Sequence, residues 1–256
     1  IERGGVGVGC GPFVMKSAER GTSIELEAFP GFYRPGLPKL KGVRAVAYPD
    51  ENARVAALIA GDVDLIDYVP WQSMGRIESE PKLRLDTQNG PFMYLQFNGR
   101  SGPLANPLVR QAIGFAINRD DIIKGAFFGR GTPIHGVPLL PANPFYSQSA
   151  NSTFRFDPAQ ARALLAKAGV AEGFSCNLLS TAQYGMHKDT AEVVQQNLAA
   201  IGIQVQMNLP DWATRVQLGN RGQYDLAIGG TAVEITDPDG LSPMIDNSLP
   251  LSLIHI

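Results

Sequence analysis

Histidine and cysteine are scarce in this chain, which has three histidines and two cysteines among 256 residues. The histidines (His135, His187 and His255) do not have the spacing of a shared metal site. Neither Cys10 nor Cys176 lies in a nucleophile motif, and no Gly-x-Ser-x-Gly sequence occurs. The sequence therefore predicts no metal, no other cofactor and no enzyme activity. Its spacing leaves open whether the two cysteines pair.

Long apolar runs and strong net charge are also missing. No stretch approaches the roughly 20 apolar residues of a membrane-spanning helix. A net charge of −2 argues against the basic surface of a nucleic-acid binder. Hydrophobic residues make up 44% of the chain, which is enough for a core and argues against disorder. Ile1 is not followed by the apolar core of a signal peptide, so we expect a fragment that starts inside a longer protein.

The first half of the chain mixes extended and helical patterns. Alternating glycines, as in a phosphate-binding loop, occur at Gly7, Gly9 and Gly11. No helical pattern follows them, which argues against a dinucleotide-binding site. Helices are predicted after Asp50, near Trp71, after residue 106 and after residue 118 or 120. The predicted strands cover 22–29, 43–48, 63–68, 83–88 and 92–98.

The second half alternates more regularly. A loop rich in proline and glycine is predicted over 129–152. Predicted strands at 174–179, 203–209 and 224–228 then alternate with helices that begin after Asp157, at Thr190 and after Asp211. This alternation predicts a largely parallel sheet covered on both faces, with a ligand crevice at the carboxyl ends of its strands.

Several motifs occur in an order that resembles one family, the peptide- and nickel-type solute-binding proteins of ABC importers (bacterial extracellular solute-binding family 5). Among the motifs that carry the resemblance are Tyr94-Leu95-Gln96-Phe97-Asn98, Val109-Arg110-Gln111-Ala112-Ile113, Asp157-Pro158, Trp212, Tyr224-Asp225-Leu226 and Asp237-Pro238-Asp239. The resemblance implies an α/β fold of the type II periplasmic-binding-protein kind, with two lobes whose mixed and parallel sheets are covered by helices. Residues 1–97 would belong to the large lobe and 98–247 to the second, both incomplete, while 248–256 are expected to be a non-native tail.

The same resemblance implies a receptor that closes two lobes around a small solute and hands it to the permease subunits of an ABC importer. A short peptide is the expected solute, and a nickel chelate, an opine or a sugar remain alternatives. We expect a monomer in the periplasm, or anchored by lipid outside the cytoplasm, that binds neither nucleic acid nor a cofactor. A hydrolytic enzyme and a chaperone are the competing function classes, because a fold does not fix a function.

The resemblance also implies which residues bind the solute. Glu234 takes the place of an aspartate that resembles the anchor for a peptide ammonium group. The run after the last predicted strand would lend backbone groups to an extended ligand, and Tyr94 and Asn98 would face the cleft. That run consists of Gly229, Gly230, Thr231, Ala232 and Val233.

The carboxylate end of a peptide has no obvious partner in the sequence. In the dipeptide-binding relatives an arginine lies between the strand that corresponds to 174–179 and the next helix. The equivalent segment here, 180–188, has no arginine, and His187 or Lys188 are the candidate donors. Trp71 and Trp212 are expected to pack rather than to contact the ligand.

Overall fold

The computed structural model describes residues 9–88, 90–139, 141–231 and 237–245. The strands in these ranges are β1 (Phe13–Glu19), β2 (Ser23–Ala28), β3 (Gly42–Val46), β4 (Met93–Phe97), β5 (Ser175–Leu179), β6 (Gln204–Asn208) and β7 (Leu226–Gly230). The α-helices are α1 (Glu51–Ala60), α2 (Met74–Glu78), α3 (Pro107–Ala116), α4 (Arg119–Phe127), α5 (Pro158–Lys167), α6 (Gly185–Ala199), α7 (Trp212–Asn220) and α8 (Ser242–Ile245).

Internal contacts divide the chain into two units between Arg54 and Val55. The first unit contains an antiparallel sheet in the order β1-β2-β3. Strand β1 was not predicted. It begins at Phe13, two residues after Gly11, where a dinucleotide-binding loop would require a helix. The predicted boundary between lobes, near residue 97, concerns the complete protein and stays a prediction.

The second unit contains a four-stranded sheet in the order β4-β7-β5-β6. Strand β5 runs parallel to both β6 and β7, whereas β4 is an antiparallel edge strand on β7. The largely parallel sheet predicted for the second half is therefore confirmed. The antiparallel β4 comes from the first half of the chain, so the sheet as a whole is mixed.

Both faces of this sheet are covered, because alternate residues of its strands enter different hydrophobic clusters. On one face Leu178, Leu226 and Ile228 are almost fully buried in the main core, which also takes in residues of α3, α5 and α6. On the other face Leu179 and Ala227 pack with Tyr224 and with Leu218 of α7. Each large apolar side chain buried in this way contributes roughly 1.5–3 kcal/mol to folding.

The predicted helix caps are formed. The Asp157 carboxylate accepts a hydrogen bond from the backbone N–H of Gln160 at 2.9 Å, and Pro158 takes the first helical position of α5. The predicted caps Asp50 and Asp211 likewise accept the backbone N–H groups of Ala53 (2.7 Å) and Thr214 (3.1 Å). Asn106 and Asn118, which were not assigned as caps, accept backbone N–H groups at the starts of α3 and α4. Such side chains satisfy donors that have no partner within the helix.

Three local predictions were wrong. The segments 63–68 and 83–88 form no strand, and Tyr68 adopts a left-handed backbone conformation (φ 59°) that is incompatible with one. The helix predicted to start at Thr190 begins at Gly185 instead. His187 and Lys188 therefore lie on a helix and not in a loop.

Both cysteines are free thiols, with Cys10 exposed and Cys176 buried in the main core. Burial, reinforced by the charge of Asp225, raises the pKa of the Cys176 thiol to about 12, so it is protonated and unreactive at neutral pH. Within the described ranges no helix has both the length and the apolar character needed to cross a membrane. Those ranges also contain no group of three or more His, Cys, Asp or Glu side chains placed to hold a metal ion.

Candidate functional site

Strand β7 extends beyond its neighbour β5. The last residue of β5, Leu179, is paired with Ala227, whereas β7 continues to Gly230 in register with Met93 of β4. The backbone N–H of Thr231 then donates to the carbonyl of Phe92 at 3.0 Å, so it points toward β4. Backbone groups alternate in direction along a strand. The N–H and C=O of Gly230 therefore point away from β4, along the edge that β5 does not reach.

The ring of Tyr94 lies over this end of β7. Tyr94 is paired with Gly229 across the antiparallel ladder, and both positions lie on the face that α7 covers. Burial raises the pKa of the Tyr94 hydroxyl, with Arg215 acting in the opposite direction, so the phenol is neutral at physiological pH. Tyr94 can thus offer a hydroxyl and an aromatic face beside Gly230.

Aromatic rings gather between the starts of α6 and α7. The ring centroid of Trp212 lies 5.4 Å from that of Tyr184 and 5.5 Å from that of His187, in edge-on arrangements. The ring of Tyr68 lies 5.8 Å from that of Tyr184. Trp212 is 36% exposed, so this group presents an open aromatic surface as well as internal packing.

Hydrogen bonds fix the two loops that carry these rings. The side-chain oxygen of Gln183 accepts the backbone N–H of Trp212 at 3.0 Å, and the Thr181 hydroxyl donates to the carbonyl of Pro210 at 2.7 Å. The loop after β5 is thereby joined to the loop after β6. Both loops lie at the carboxyl ends of parallel strands, where ligands bind in folds of this type.

Arg215 connects the aromatic group to β7. Its Nη2 donates to the carbonyl oxygen of Ile228, and its guanidinium carbon lies 5.5 Å from the centroid of the Trp212 ring. Among the described residues no carboxylate oxygen lies within 4 Å of this guanidinium. We refer to Tyr94, Tyr184, His187, Trp212 and Arg215 as the β7-end cluster.

The two donors predicted for a ligand carboxylate have different environments. His187 is only 4% exposed, and its Nδ1 has no hydrogen-bond partner among the described residues. Burial, together with the positive charge of Arg215, lowers its pKa to about 4, so the imidazole is neutral at neutral pH. Lys188, the following residue of α6, is exposed, and its ammonium lies 3.4 Å from the Glu192 carboxylate.

The structure brings some of the predicted binding residues together and separates others. Tyr94, Gly229, Gly230 and Thr231 lie at one end of β7. Asn98 lies at the other end, where its side-chain amide donates to the carbonyls of Tyr224 (2.9 Å) and Gly222 (3.2 Å). We therefore leave Asn98 out of the candidate site. Ala232, Val233 and Glu234 lie outside the described residues, so their roles stay predictions.

Sequence reasoning missed Arg215 and Tyr184 and assigned Trp212 to packing alone. A signal for one pair was available, because Trp212 and Arg215 are three residues apart on a predicted helix and so share a face. The sequence does not show which strand that face meets. Tyr184 precedes α6 in a segment that has no periodic pattern of its own.

Comparison with known proteins places the chain among binding proteins. Residues 4–250 match the family model of the bacterial extracellular solute-binding proteins, family 5 Middle. The glutathione-binding protein GsiB of Escherichia coli (strain K12) is 31% identical over 223 residues, which is 86% of this chain and 43% of GsiB.

Two solved structures are similar over nearly the whole chain. The PBP AgaA from A. tumefaciens R10, in complex with agropinic acid, matches with a TM-score of 0.84 and 44% identity over 91% of this chain and 48% of AgaA. The periplasmic binding protein DppA from Helicobacter pylori, in complex with the peptide STSA, matches with a TM-score of 0.82 and 27% identity over 91% of this chain and 44% of DppA. The chain spans slightly less than half the length of these relatives.

Proposed function

We propose, because this chain belongs to the bacterial extracellular solute-binding proteins of family 5, that it is part of a receptor that delivers a small solute to an ABC importer. Its fold is that of the periplasmic binding proteins, as the two TM-scores above 0.8 indicate. The family and the named relatives are binding proteins and not enzymes. A receptor of this kind releases its solute chemically unchanged.

The observation that carries the proposal is the edge of β7 beyond Ala227, which β5 does not cover and which lies beside the β7-end cluster. We call it the open edge of β7. An extended peptide can add to such an edge through main-chain hydrogen bonds, which depend little on its side chains. Gly230 directs its N–H and C=O toward that edge, and its lack of a side chain lets another backbone approach closely. The exposed face of Trp212 can then cover an apolar part of the solute.

A short peptide is the solute that we favour. Its ammonium end requires an acidic partner when it is enclosed, because an unpaired buried charge is strongly unfavourable. Glu234 follows the end of β7 by four residues in the sequence and remains our proposed partner for that group. The peptide STSA bound to DppA and the glutathione that GsiB is named for support a solute of this class.

An opine is the second candidate solute. The 44% identity with AgaA, whose structure contains agropinic acid, favours it. An opine would use the same end of β7, because both candidate solutes carry carboxylate groups. The choice between them concerns the solute and leaves the receptor role unchanged.

We further propose that the complete protein acts as a monomer outside the cytoplasm, in the periplasm or on a lipid anchor, together with the permease subunits of its importer. Light scattering on the purified complete protein tests the first part, with a single protomer mass as the expected result. Cell fractionation tests the second, with the protein expected in the periplasmic or membrane fraction. A cytoplasmic location would contradict the receptor proposal.

Isothermal titration of the complete protein tests the binding function itself. The panel is the peptide Ser-Thr-Ser-Ala, reduced glutathione and agropinic acid, and mass spectrometry then analyses each recovered solute. We expect at least one of them to bind with micromolar or tighter affinity and to be recovered intact. Conversion of the solute would indicate an enzyme, and binding of none of the three would contradict the proposed solute classes.

A further inference from the structure

We propose that Arg215 binds a carboxylate group of the solute at the open edge of β7. This inference rests on the proposed receptor function and deepens it, because it names a charge that the solute must carry and the side chain that recognises it. The solute class is a small carboxylic acid whose anion is held beside Gly230.

The hydrogen bonding of Arg215 is incomplete within the described part of the chain. A guanidinium has five N–H donors. One of them, on Nη2, reaches the Ile228 carbonyl, while the buried Nε has no partner among the described residues. The nearest acidic residue in the sequence, Asp211, uses both carboxylate oxygens on Thr214, accepting its backbone N–H at 3.1 Å and its hydroxyl at 2.6 Å.

Three other arginines of the chain have more acceptors than Arg215. Arg119, which is also partly buried, donates through Nη1 to the carbonyls of Gly114, Ile117 and Phe154 at 3.0–3.2 Å. Arg110 donates to the carbonyls of Leu104 at 2.7 Å and Ala105 at 3.0 Å. Arg130 makes a two-pronged ion pair with Glu78 at 2.5 and 2.7 Å.

Compared with these three, Arg215 combines partial burial with one acceptor and no carboxylate among the described residues. A charge that is partly removed from water and has few hydrogen-bond partners is unfavourable. A carboxylate of the solute would supply the missing acceptors and stabilise the Arg215 guanidinium. Arg215 keeps part of its surface exposed, which leaves it open to such a group.

The surroundings of Arg215 suit a carboxylate. The guanidinium carbon of Arg215 lies over the Trp212 ring, 5.5 Å from its centroid, and a planar guanidinium can bind both oxygens of a carboxylate. His187 is neutral at neutral pH, so it does not compete as a second cation. Partial burial of the site lowers the local dielectric response and strengthens the ion pair.

The position along β7 also fits a chain-like solute. Arg215 binds the carbonyl of Ile228, and Gly230 lies two residues farther along the same edge, about 6.6 Å at the rise of a strand. A carboxylate on Arg215 would therefore place the adjoining part of the solute beside the N–H and C=O of Gly230. Arg215 thus supplies, from α7, the cation that the segment 180–188 lacks.

The test uses the complete protein and matched pairs of solutes. Isothermal titration compares Ser-Thr-Ser-Ala with its C-terminal amide, and agropinic acid with its methyl ester. The variants are R215Q, which removes the charge, R215K, which keeps it without the planar fork, and R221Q as the control. Arg221 is exposed at the end of the same helix, away from the cluster.

We expect the wild type and R221Q to bind the free acid more tightly than its neutral counterpart by about 10- to 100-fold. R215Q should lose about that factor for the acid and bind the neutral counterpart as the wild type does, with R215K between the two. Should R215Q not fold, R215K carries the test: its preference for the acid should be smaller than that of the wild type, and an equal preference would overturn the inference.

Two other results would overturn the inference in distinguishable ways. If R215Q weakens binding of the acid and its neutral counterpart equally, or of neither, then Arg215 is a structural residue and the receptor proposal stands without it. If the wild type binds none of the acids, the proposed function fails and the inference fails with it.

Discussion

The ring of Tyr94 occupies the space in which Gly229, its partner on the adjacent strand, would carry a side chain. A Cβ built on Gly229 would lie 2.5 Å from Cζ of Tyr94 and 2.7 Å from its hydroxyl oxygen. These distances are far shorter than a van der Waals contact. The glycine is therefore what allows the tyrosine ring to occupy this space at the end of β7.

We predict that Gly229→Ala displaces the Tyr94 ring, lowers the free energy of unfolding by about 1–3 kcal/mol and weakens solute binding. Urea unfolding and isothermal titration measure the two effects. Gly75→Ala is the control, because Gly75 lies in α2 with no atom within 4 Å of its added Cβ. That variant should retain its stability or gain up to about 1 kcal/mol.

The double variant with Tyr94→Ala shows whether the clash is the cause. Removing the ring gives the new methyl group room, so adding Gly229→Ala to Tyr94→Ala should cost little further stability. An equal loss of stability with and without the ring would contradict our explanation of the glycine.

Stability should fall on acidification because of His187. Its pKa is about 4 in the folded protein and 6.5 for a free histidine side chain, the value that applies in the unfolded chain. Between pH 6.5 and 4 the unfolded chain therefore binds a proton at this residue that the folded protein does not bind. The free energy of unfolding is therefore not reduced by this residue above pH 6.5. It falls progressively as the pH drops toward 4, by up to about 3 kcal/mol. His187→Gln should reduce this pH dependence, as measured by urea unfolding at neutral pH and near pH 5. An unchanged slope would contradict the assignment to His187.

Trp212 and Trp71 should report solute binding unequally. Trp212 belongs to the β7-end cluster and is partly exposed, whereas the Trp71 ring packs edge-on against Phe127 with centroids 4.8 Å apart. We predict that a bound solute changes the fluorescence of Trp71→Phe as it does that of the wild type. The change should largely disappear in Trp212→Phe, and its persistence there would place the solute elsewhere.

The cap of α5 offers a prediction that concerns stability alone. Replacing Asp157 with Ala leaves the N–H of Gln160 without its acceptor and should lower the free energy of unfolding by about 1 kcal/mol. Asp157→Ser keeps an acceptor and should lose less. Neither variant should alter solute affinity, because α5 contributes no residue to the β7-end cluster; a change in affinity would show that the site depends on this helix.

Elements with local signals could be predicted from the sequence. Asp157 before a proline, Asn106 and Asn118 before apolar periodic runs, and short loops between strands and helices each rest on interactions within a few residues. The segments 63–68 and 83–88 show the limit, because their apolar residues suggest strands but no neighbouring strand pairs with them among the described residues. Strand pairing is a tertiary property that alternation alone does not determine.

The candidate site was predictable only in part, for the same reason. The glycines at the end of β7 and Tyr94 were found through the family resemblance. The partner of Arg215 is the carbonyl of Ile228 on a different element, so no spacing along the chain indicates it. His187 and Lys188 are adjacent in sequence, and only the turn of α6 shows that one is buried and the other exposed.

A crystal structure of the complete protein with a bound solute from the panel tests the central claim most directly. We predict that the solute lies along the open edge of β7, with its main chain or equivalent polar groups hydrogen-bonded to Gly230 and its carboxylate on Arg215. A solute bound at full occupancy elsewhere, with Gly230 and Arg215 contacting only protein or water, would contradict the account.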